Sequence, residues 1–156
     1  MKNNKGFSLV ELIIVIAIMA ILVGVMAPQL IKYIEKTNVS SDTQLCDTVK
    51  NAITTAMMDP TVIANDSDNI PTNDDFESVS SIGTSTDDTT FAGAVTEILG
   101  FSPADIEDHI KSNVQNGKAN GVKFAISGSN SVHVKIENSD NTGKKAKNGN
   151  NPIYVD

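Results

Sequence analysis

Few side chains in this 156-residue chain are of the types that carry out chemistry. The chain has one cysteine, Cys46, and two histidines, His109 and His133. Nucleophilic catalysis needs a base beside the nucleophile, and a metal site needs clustered ligands. The sequence has no nucleophile motif, no metal-ligand spacing and no glycine-rich phosphate loop. It therefore predicts a protein that is not an enzyme and that needs no metal or cofactor.

Glu11 is the one ionisable side chain whose position calls for a function. Twenty uncharged, mostly apolar residues follow it, from Leu12 to Ile31, and about twenty such residues span a bilayer as a helix. A carboxylate at the centre of a spanning segment costs about 2.5–3.5 kcal/mol and is a functional-site hypothesis by default. Near a helix start the dipole lowers that cost, so a tolerated boundary glutamate is the alternative.

A short polar leader precedes this segment and carries Lys2 and Lys5. Positive flanks stay on the cytoplasmic side, so the rest of the chain is expected outside. One alternative is a secretory signal peptide cut after Ala27, although Pro28 would then follow the scissile bond and hinder a peptidase. Another is a signal anchor that is never cut. Neither alternative explains Glu11.

The heptapeptide KGFSLVE (Lys5–Glu11), followed by the apolar run, resembles the signal of type IV pilins and pseudopilins. The resemblance covers about the first thirty residues. It implies cleavage between Gly6 and Phe7 by a membrane prepilin peptidase and N-methylation of Phe7. It also implies an assembly contact in which the Glu11 carboxylate attracts the N-terminal amine of an adjacent subunit.

The resemblance implies a structural subunit of a type IV pilus, a helical homopolymer that serves adhesion, motility, aggregation or DNA uptake. The implied partners are other copies of the chain, the peptidase, an assembly ATPase and a membrane platform protein. The precursor is expected in the cytoplasmic membrane and the assembled subunit in an extracellular filament. A pseudopilin of a type II secretion or DNA-uptake system, and a binding module on an uncut anchor, remain alternatives.

The chain departs from the family in two places. Members often carry a C-terminal disulfide, which the single Cys46 cannot form, and this favours a Gram-positive type IV pilin. Related pseudopilins carry a C-terminal calcium loop, but here Asn138–Gly149 has Gly149 at the twelfth position and three intruding lysines. The acidic stretch Asn65–Asn69 also lacks the glycine and distal glutamate of a calcium loop. No calcium site is predicted.

Helical periodicity predicts one long helix from Phe7 to Met58, ended by Asp59-Pro60. Pro28 removes a backbone donor and clashes with the carbonyl of Gly24, which predicts a kink or a locally melted turn there. The apolar stripe of the second half is expected to pack against a head domain, and Cys46 is expected to be a small packed residue beside it. The helical pattern resumes after Pro28 at Leu30, Ile31 and Ile34 and continues with Leu45, Val49, Ala52, Ile53, Ala56 and Met57.

The remainder of the chain predicts a small α+β head. Residues Thr61–Thr90 are expected to form a long surface loop. A short helix is predicted over Phe91–Leu99, and Gly100 is expected to end it. Its packed face is expected to hold Phe91, Val95, Ile98 and Leu99. A second helix is predicted to begin with Ser102 as N-cap and Pro103 as its first residue, with Ile106 and Ile110 facing inward. His109, between those two isoleucines, is expected to be half-buried or at the surface. Alternation predicts a hairpin of VKFAI (Val122–Ile126) and VHVKI (Val132–Ile136), with Pro152–Val155 as an edge strand.

These elements predict an α+β, pilin-like fold, in which a long N-terminal helix packs against a small C-terminal antiparallel sheet. The predicted parts are a leader at 1–6, a membrane or filament-core half-helix at 7–31, an amphipathic half-helix at 32–58 and a head at 59–156.

Charge is uneven along the predicted head. Residues 51–110 hold twelve acids and no basic residue, whereas 111–156 hold seven lysines and three acids. The absence of arginine argues against a nucleic-acid partner. The acidic half is either a solvated face or one side of a contact between copies.

Overall fold

The computed structural model describes residues 8–72, 74–111, 121–128, 130–136 and 153–155. Of Tyr154, within the last range, it describes only the backbone. The chain divides into two compact units, residues 1–37 and residues 38–156. The first unit is the beginning of a long helix. The second unit is an α+β head that includes the rest of that helix.

Helix α1 runs from Leu9 to Met58, which confirms the predicted helix over its described residues. It continues through Pro28 without a break in helical backbone, so no turn is melted there, and a kink at Gly24 and Pro28 stays a prediction. The helix ends at Met58 because Asp59 has an extended backbone and Pro60 begins a new helix.

The last third of α1 forms one wall of the head core. Its fully buried residues are Asp42, Cys46, Val49, Ala52, Ile53 and Ala56. They recur at three- and four-residue spacing, as a helix packed on one side requires. Leu45 and Met57 pack partly against the core, as predicted. Ile34, in the predicted amphipathic half, is exposed rather than packed, and Leu30 and Ile31, in the predicted membrane or filament-core half, are exposed as well.

A four-stranded antiparallel sheet forms the other wall, in the order β1-β2-β3-β4. The strands are β1 (Glu77–Ser78), β2 (Val122–Ile126), β3 (Val132–Ile136) and β4 (Ile153–Val155). The predicted hairpin is confirmed, with Phe124 opposite Val134, and β4 pairs with β3 at an edge as expected. Between β2 and β3 the chain turns at Asn130, whose φ of 57° asparagine tolerates well.

The expectation of one long surface loop from Thr61 to Thr90 is wrong, because the segment contains regular structure. Helix α2 occupies Pro60–Asp66, short 3-10 helices follow at Ser67–Asn69 and Val79–Ile82, and β1 pairs with β2. Asp59 starts α2 as its N-cap, since its carboxylate accepts the Thr61 N–H at 2.8 Å. Polar composition suggested a loop, but the buried Val62 and Val79 anchor this segment in the core.

Helix α3 spans Phe91–Leu99 with Thr90 as N-cap and a left-handed Gly100 as stop, as predicted. Its residues Phe91, Val95 and Leu99 are buried, but Ile98 is 42% exposed, so its predicted place on the packed face is wrong. The segment begun by Ser102 is a 3-10 helix over Pro103–His109 rather than an α-helix.

Both predicted inward residues of the 3-10 helix contact the core. Ile106 is fully buried, and Ile110, just beyond the helix, is partly buried. The core therefore joins α1, α2, α3, this 3-10 helix and the sheet.

Gly93 is the described glycine whose added methyl group would have the closest backbone neighbour. A methyl group built there would overlap the backbone carbonyl of Asp87. That carbonyl is held by the Thr90 N–H at 3.1 Å and the Thr90 hydroxyl at 2.7 Å. The Thr90 oxygen also accepts the Gly93 N–H at 3.1 Å. The loop before α3 is thus clamped directly onto the first turn of the helix.

Replacing Gly93 with alanine tests this clamp, because propensity and packing predict opposite signs. Helix propensity alone would stabilise Gly93→Ala by about 0.5–1 kcal/mol. The overlap with Asp87 is expected to destabilise the head by about 1–3 kcal/mol, as overpacking does. Urea unfolding followed by circular dichroism measures the difference. Gly128→Ala is the control, since nothing lies within 4 Å of its added methyl group, and a more stable Gly93→Ala chain would contradict the clamp.

Candidate functional site

Glu11 lies in the first turn of α1, at the place where the apolar helix begins. Its Oε2 accepts the backbone N–H of Ser8 at 2.8 Å. This bond satisfies one of the free N–H groups at a helix start, and the negative charge is favourable beside the N-terminal end of the dipole. The arrangement is exposed, so the carboxylate remains accessible to a partner.

The apolar surface that follows Glu11 has no cover within its own unit. Every residue from 8 to 34 is exposed, and the large apolar side chains from Leu9 to Ile34 are each at least 50% exposed. Monomeric soluble proteins rarely present apolar surface of this extent. Among the described residues, α1 is the one helix long and apolar enough to cross a membrane.

The predicted site residues lie along this one segment. Gly6 and Phe7, the predicted cleavage and methylation residues, are outside the described residues. Gly24 and Pro28 lie about one turn apart inside α1, about 20 Å and about 26 Å beyond Glu11 at the helical rise per residue. No side chain lies within 4 Å of a methyl group built on Gly24. The structure therefore separates the Glu11 position from the Pro28 position along the helix.

Asp42 is a buried carboxylate that sequence reasoning missed. It is fully buried, and its Oδ1 accepts the backbone N–H of Lys111 at 2.9 Å. The bond ties α1 to a segment 69 residues away. Asp42 lies one helical turn before Cys46, so the helical spacing could have assigned it to the buried face. A charged residue at such a position is, however, ordinarily assigned to the solvent-exposed side.

Cys46 and His109, two of the described residues with nucleophilic or ligating potential, have structural surroundings. Cys46 is fully buried, which confirms the prediction of a packed residue. Burial, with smaller effects of the negative Asp42 and Asp47, raises the pKa of the Cys46 thiol to about 12. His109 is exposed and stacks on Phe101 with ring centroids 4.0 Å apart. In the described part of the chain, no three His, Cys, Asp or Glu side chains group as metal ligands.

Three exposed or half-exposed aspartates have a lowered pKa because they accept local hydrogen bonds. Asp59 and Asp87 each accept from the threonine two residues later, Thr61 and Thr89. Asp66 accepts from the Asn69 side chain at 2.6 Å and from the Phe91 N–H, at the start of α3, at 2.8 Å. These bonds lower the pKa of Asp66, while the charge of Asp87 acts in the opposite direction.

Residues 1–27 match the family model described as the prokaryotic N-terminal methylation motif. This motif is the prepilin signal of type IV pilins and pseudopilins, and it indicates a structural subunit of that class. Neither the curated proteins nor the solved structures include a match to the chain. The motif covers the leader, Glu11 and most of the apolar run, and stops before the head.

The raised pKa of Cys46 predicts a pH dependence of head stability. The thiol ionises near pH 9.0 in the unfolded chain but near 12 when folded. Because the unfolded chain loses this proton first, the contribution of the thiol is fully present below pH 9 and is lost as pH rises towards 12. Over that range, urea unfolding in detergent is expected to lose stability more steeply for the natural chain than for Cys46→Ala. Parallel curves would contradict the prediction, since both chains keep the same lysines and tyrosines.

Proposed function

We propose that this chain, which carries the prepilin signal at residues 1–27, is the structural subunit of a type IV pilus. The precursor is held in the cytoplasmic membrane by the apolar part of α1. A prepilin peptidase removes residues 1–6 and the new Phe7 amine is methylated. An assembly ATPase and a membrane platform protein then move the subunit into an extracellular helical filament of identical copies.

The single observation that carries the proposal is the prepilin signal in front of an apolar helix with no cover. In the precursor, lipid covers the side chains from Leu9 to Ile34. A subunit that leaves the membrane must replace that lipid with other apolar surface, because exposing it to water is unfavourable in proportion to its area. Equivalent helices of neighbouring copies supply such a surface, and contacts that repeat without closing build a filament.

Glu11 is proposed to set the register between neighbouring copies. After cleavage the Phe7 amine is a cation at neutral pH, since α-amino groups have a pKa of about 7.7–8.0. Opposite charges attract far more strongly in an apolar bundle than in water, and each is unfavourable there unless paired. The Ser8 N–H uses one lone pair of the Glu11 carboxylate. A carboxylate has about four acceptor sites, which leaves room for a neighbour's amine.

Gly24 and Pro28 are proposed as the point where α1 bends or loosens during assembly. Pro28 lacks the N–H that would bond to the carbonyl of Gly24, so this turn is weaker than its neighbours. Glycine adds conformational freedom at the same turn. A weak turn inside the apolar segment lets identical helices adjust to one another without disturbing the Glu11 contact.

The proposal is tested by intact and peptide mass spectrometry of material sheared from cells, compared with the membrane fraction. Sheared filaments are expected to contain a chain that begins at Phe7 and carries one methyl group. A processed chain found only in membranes would favour the pseudopilin alternative, whose N-terminal motif is the same. A retained leader, or a cut after Ala27, would overturn both.

Substitutions of Glu11 separate a local role from an assembly role. Glu11→Gln keeps an oxygen that can accept the Ser8 N–H but removes the charge, whereas Glu11→Ala removes both. If charge pairing with the neighbour's amine governs assembly, both variants are cleaved normally and both lose filaments by about tenfold or more, the effect of losing one charge-assisted contact. Filament yield is measured by immunoblot of the sheared fraction, and cleavage by the mass of the membrane-bound chain. Normal filament yield from Glu11→Gln would reduce Glu11 to a helix cap.

A further inference from the structure

The uncharged run of α1 ends at a turn that carries two lysines and a tyrosine. Lys32 directly follows Ile31, the last residue of that run, and Tyr33 and Lys36 come within the next turn. Both lysines are exposed, and Tyr33 is 72% exposed. Among the described residues, neither ammonium group makes a hydrogen bond or an ion pair. The end of the apolar segment thus presents two exposed cations beside one amphipathic ring.

Lys32 and Lys36 lie on one face of α1, because residues four apart in a helix are neighbours on its surface. They are about 6 Å apart along the helix axis. Glu35 carries the one negative charge in this turn, so that two lysines and one glutamate give residues 32–36 a formal net charge of +1. Glu35 is half-buried whereas both lysines are exposed. The exposed side of the turn is therefore positive.

The position of this turn along α1 matches the headgroup layer of a bilayer. The twenty uncharged residues Leu12–Ile31 rise about 30 Å as a helix, which is the thickness of the hydrocarbon core. A bilayer with its headgroups is about 40–45 Å thick, which leaves about 5–7 Å on each side. Lys32 enters that layer, and Lys36, about 6 Å further along, is still within it. Tyrosine is enriched at the same level, because its ring has an apolar body and a polar tip.

Anionic phospholipids supply the charge that complements this turn. A lysine ammonium group donates three hydrogen bonds, and phosphate oxygens accept them. Lipids with a net negative charge attract basic residues beside a spanning helix, by about fivefold in affinity for each lysine. A zwitterionic headgroup carries a cation of its own, so its attraction for lysine is weaker.

We propose that Lys32 and Lys36 form a docking surface for anionic phospholipid headgroups, in the leaflet opposite the leader. The contact fixes the depth of α1 in the membrane, since a shift along the helix axis would move a lysine into hydrocarbon or out of reach of the phosphates. The inference rests on the proposed function for the membrane-held precursor and deepens it by naming the lipid class that holds it. A subunit that leaves the membrane must give up these headgroup contacts together with the apolar lipid.

The test measures which lipid lies against this turn. The chain has no tryptophan, so Tyr33→Trp adds a single fluorescent reporter whose ring is also amphipathic. The full precursor with this reporter is reconstituted into vesicles of phosphatidylglycerol and phosphatidylcholine, in which the acyl chains of one lipid or the other carry bromine. Bromine quenches tryptophan only at close range, so the two quenching values give the relative affinity of the two lipids.

Phosphatidylglycerol is expected to be preferred about fivefold or more, the effect of one to two lysines near anionic headgroups. Adding Lys32→Gln and Lys36→Gln to the reporter chain is expected to remove the preference, so that the ratio of affinities falls to about one. Equal quenching by the two lipids in the reporter chain would overturn the docking surface.

Lys50→Gln is the matched control, because Lys50 lies on the same helix about 21 Å beyond Lys36 and so outside the headgroup layer. It is expected to keep the lipid preference, and an equal loss with Lys50→Gln would reduce the effect to net charge and overturn the inference. An unchanged preference in the double lysine variant, with loss of its filaments, would also overturn it and assign the lysines to a contact with another copy.

The lipid test and the pilus proposal fail separately. Filaments from cells, without a lipid preference in vesicles, would overturn this inference and leave the pilus proposal standing. A preference that depends on Lys32 and Lys36, with no filaments from cells, would support the docking surface and count against the pilus.

Discussion

The constraint on which the molecule depends is that α1 has two kinds of surface on one continuous helix. From Leu9 to Ile34 its side chains are exposed and apolar, and no residue of that unit covers them. From Asp42 to Ala56 the same helix is amphipathic and forms a wall of the head core. The hydrophobic effect acts on both parts, but the second finds its partners within the chain and the first must find them outside it. Lipid and other copies are the two partners that the proposed function supplies.

The head gives the buried part of α1 a stable surface through packing and a few specific polar bonds. Cys46, Val49, Ala52 and Ile53 meet the apolar face of the sheet and α3 in one core. The carboxylate of the buried Asp42 accepts the backbone N–H of Lys111, which fixes the chain at Lys111 to helix α1. Removing such a buried partner leaves an unsatisfied group, which is why one bond can matter as much as several apolar contacts. With no disulfide available to the single Cys46, these contacts hold the described head together.

The polar segment from Asp59 to Thr90 contributes structural contacts to the head and carries many of its aspartates. It looks like surface loop in composition, yet it contributes β1 to the sheet, the clamp of Asp87 on Gly93 and an acidic cleft beside Asp66. Its aspartates mainly accept backbone and side-chain hydrogen bonds that begin helices or close turns. These carboxylates therefore serve the fold itself, through the helix starts and turns that they stabilise.

The sequence by itself determined the elements that depend on local pattern. Helical periodicity predicted α1, and Asp59-Pro60 predicted its end. Ser102 and Pro103 predicted a helix start, Gly100 predicted the end of α3, and alternation of apolar and polar residues predicted β2 and β3. These predictions succeeded because propensity, capping and turn chemistry act over a few residues. The short KGFSLVE signal also sufficed to identify the prepilin motif. Only the tertiary structure decided that Asp42 is buried, that Ile98 is exposed, that residues 77–78 pair with β2, and that Asp66 and Glu77 line one cleft. Those facts depend on contacts between residues distant in sequence, about which a local pattern carries no information.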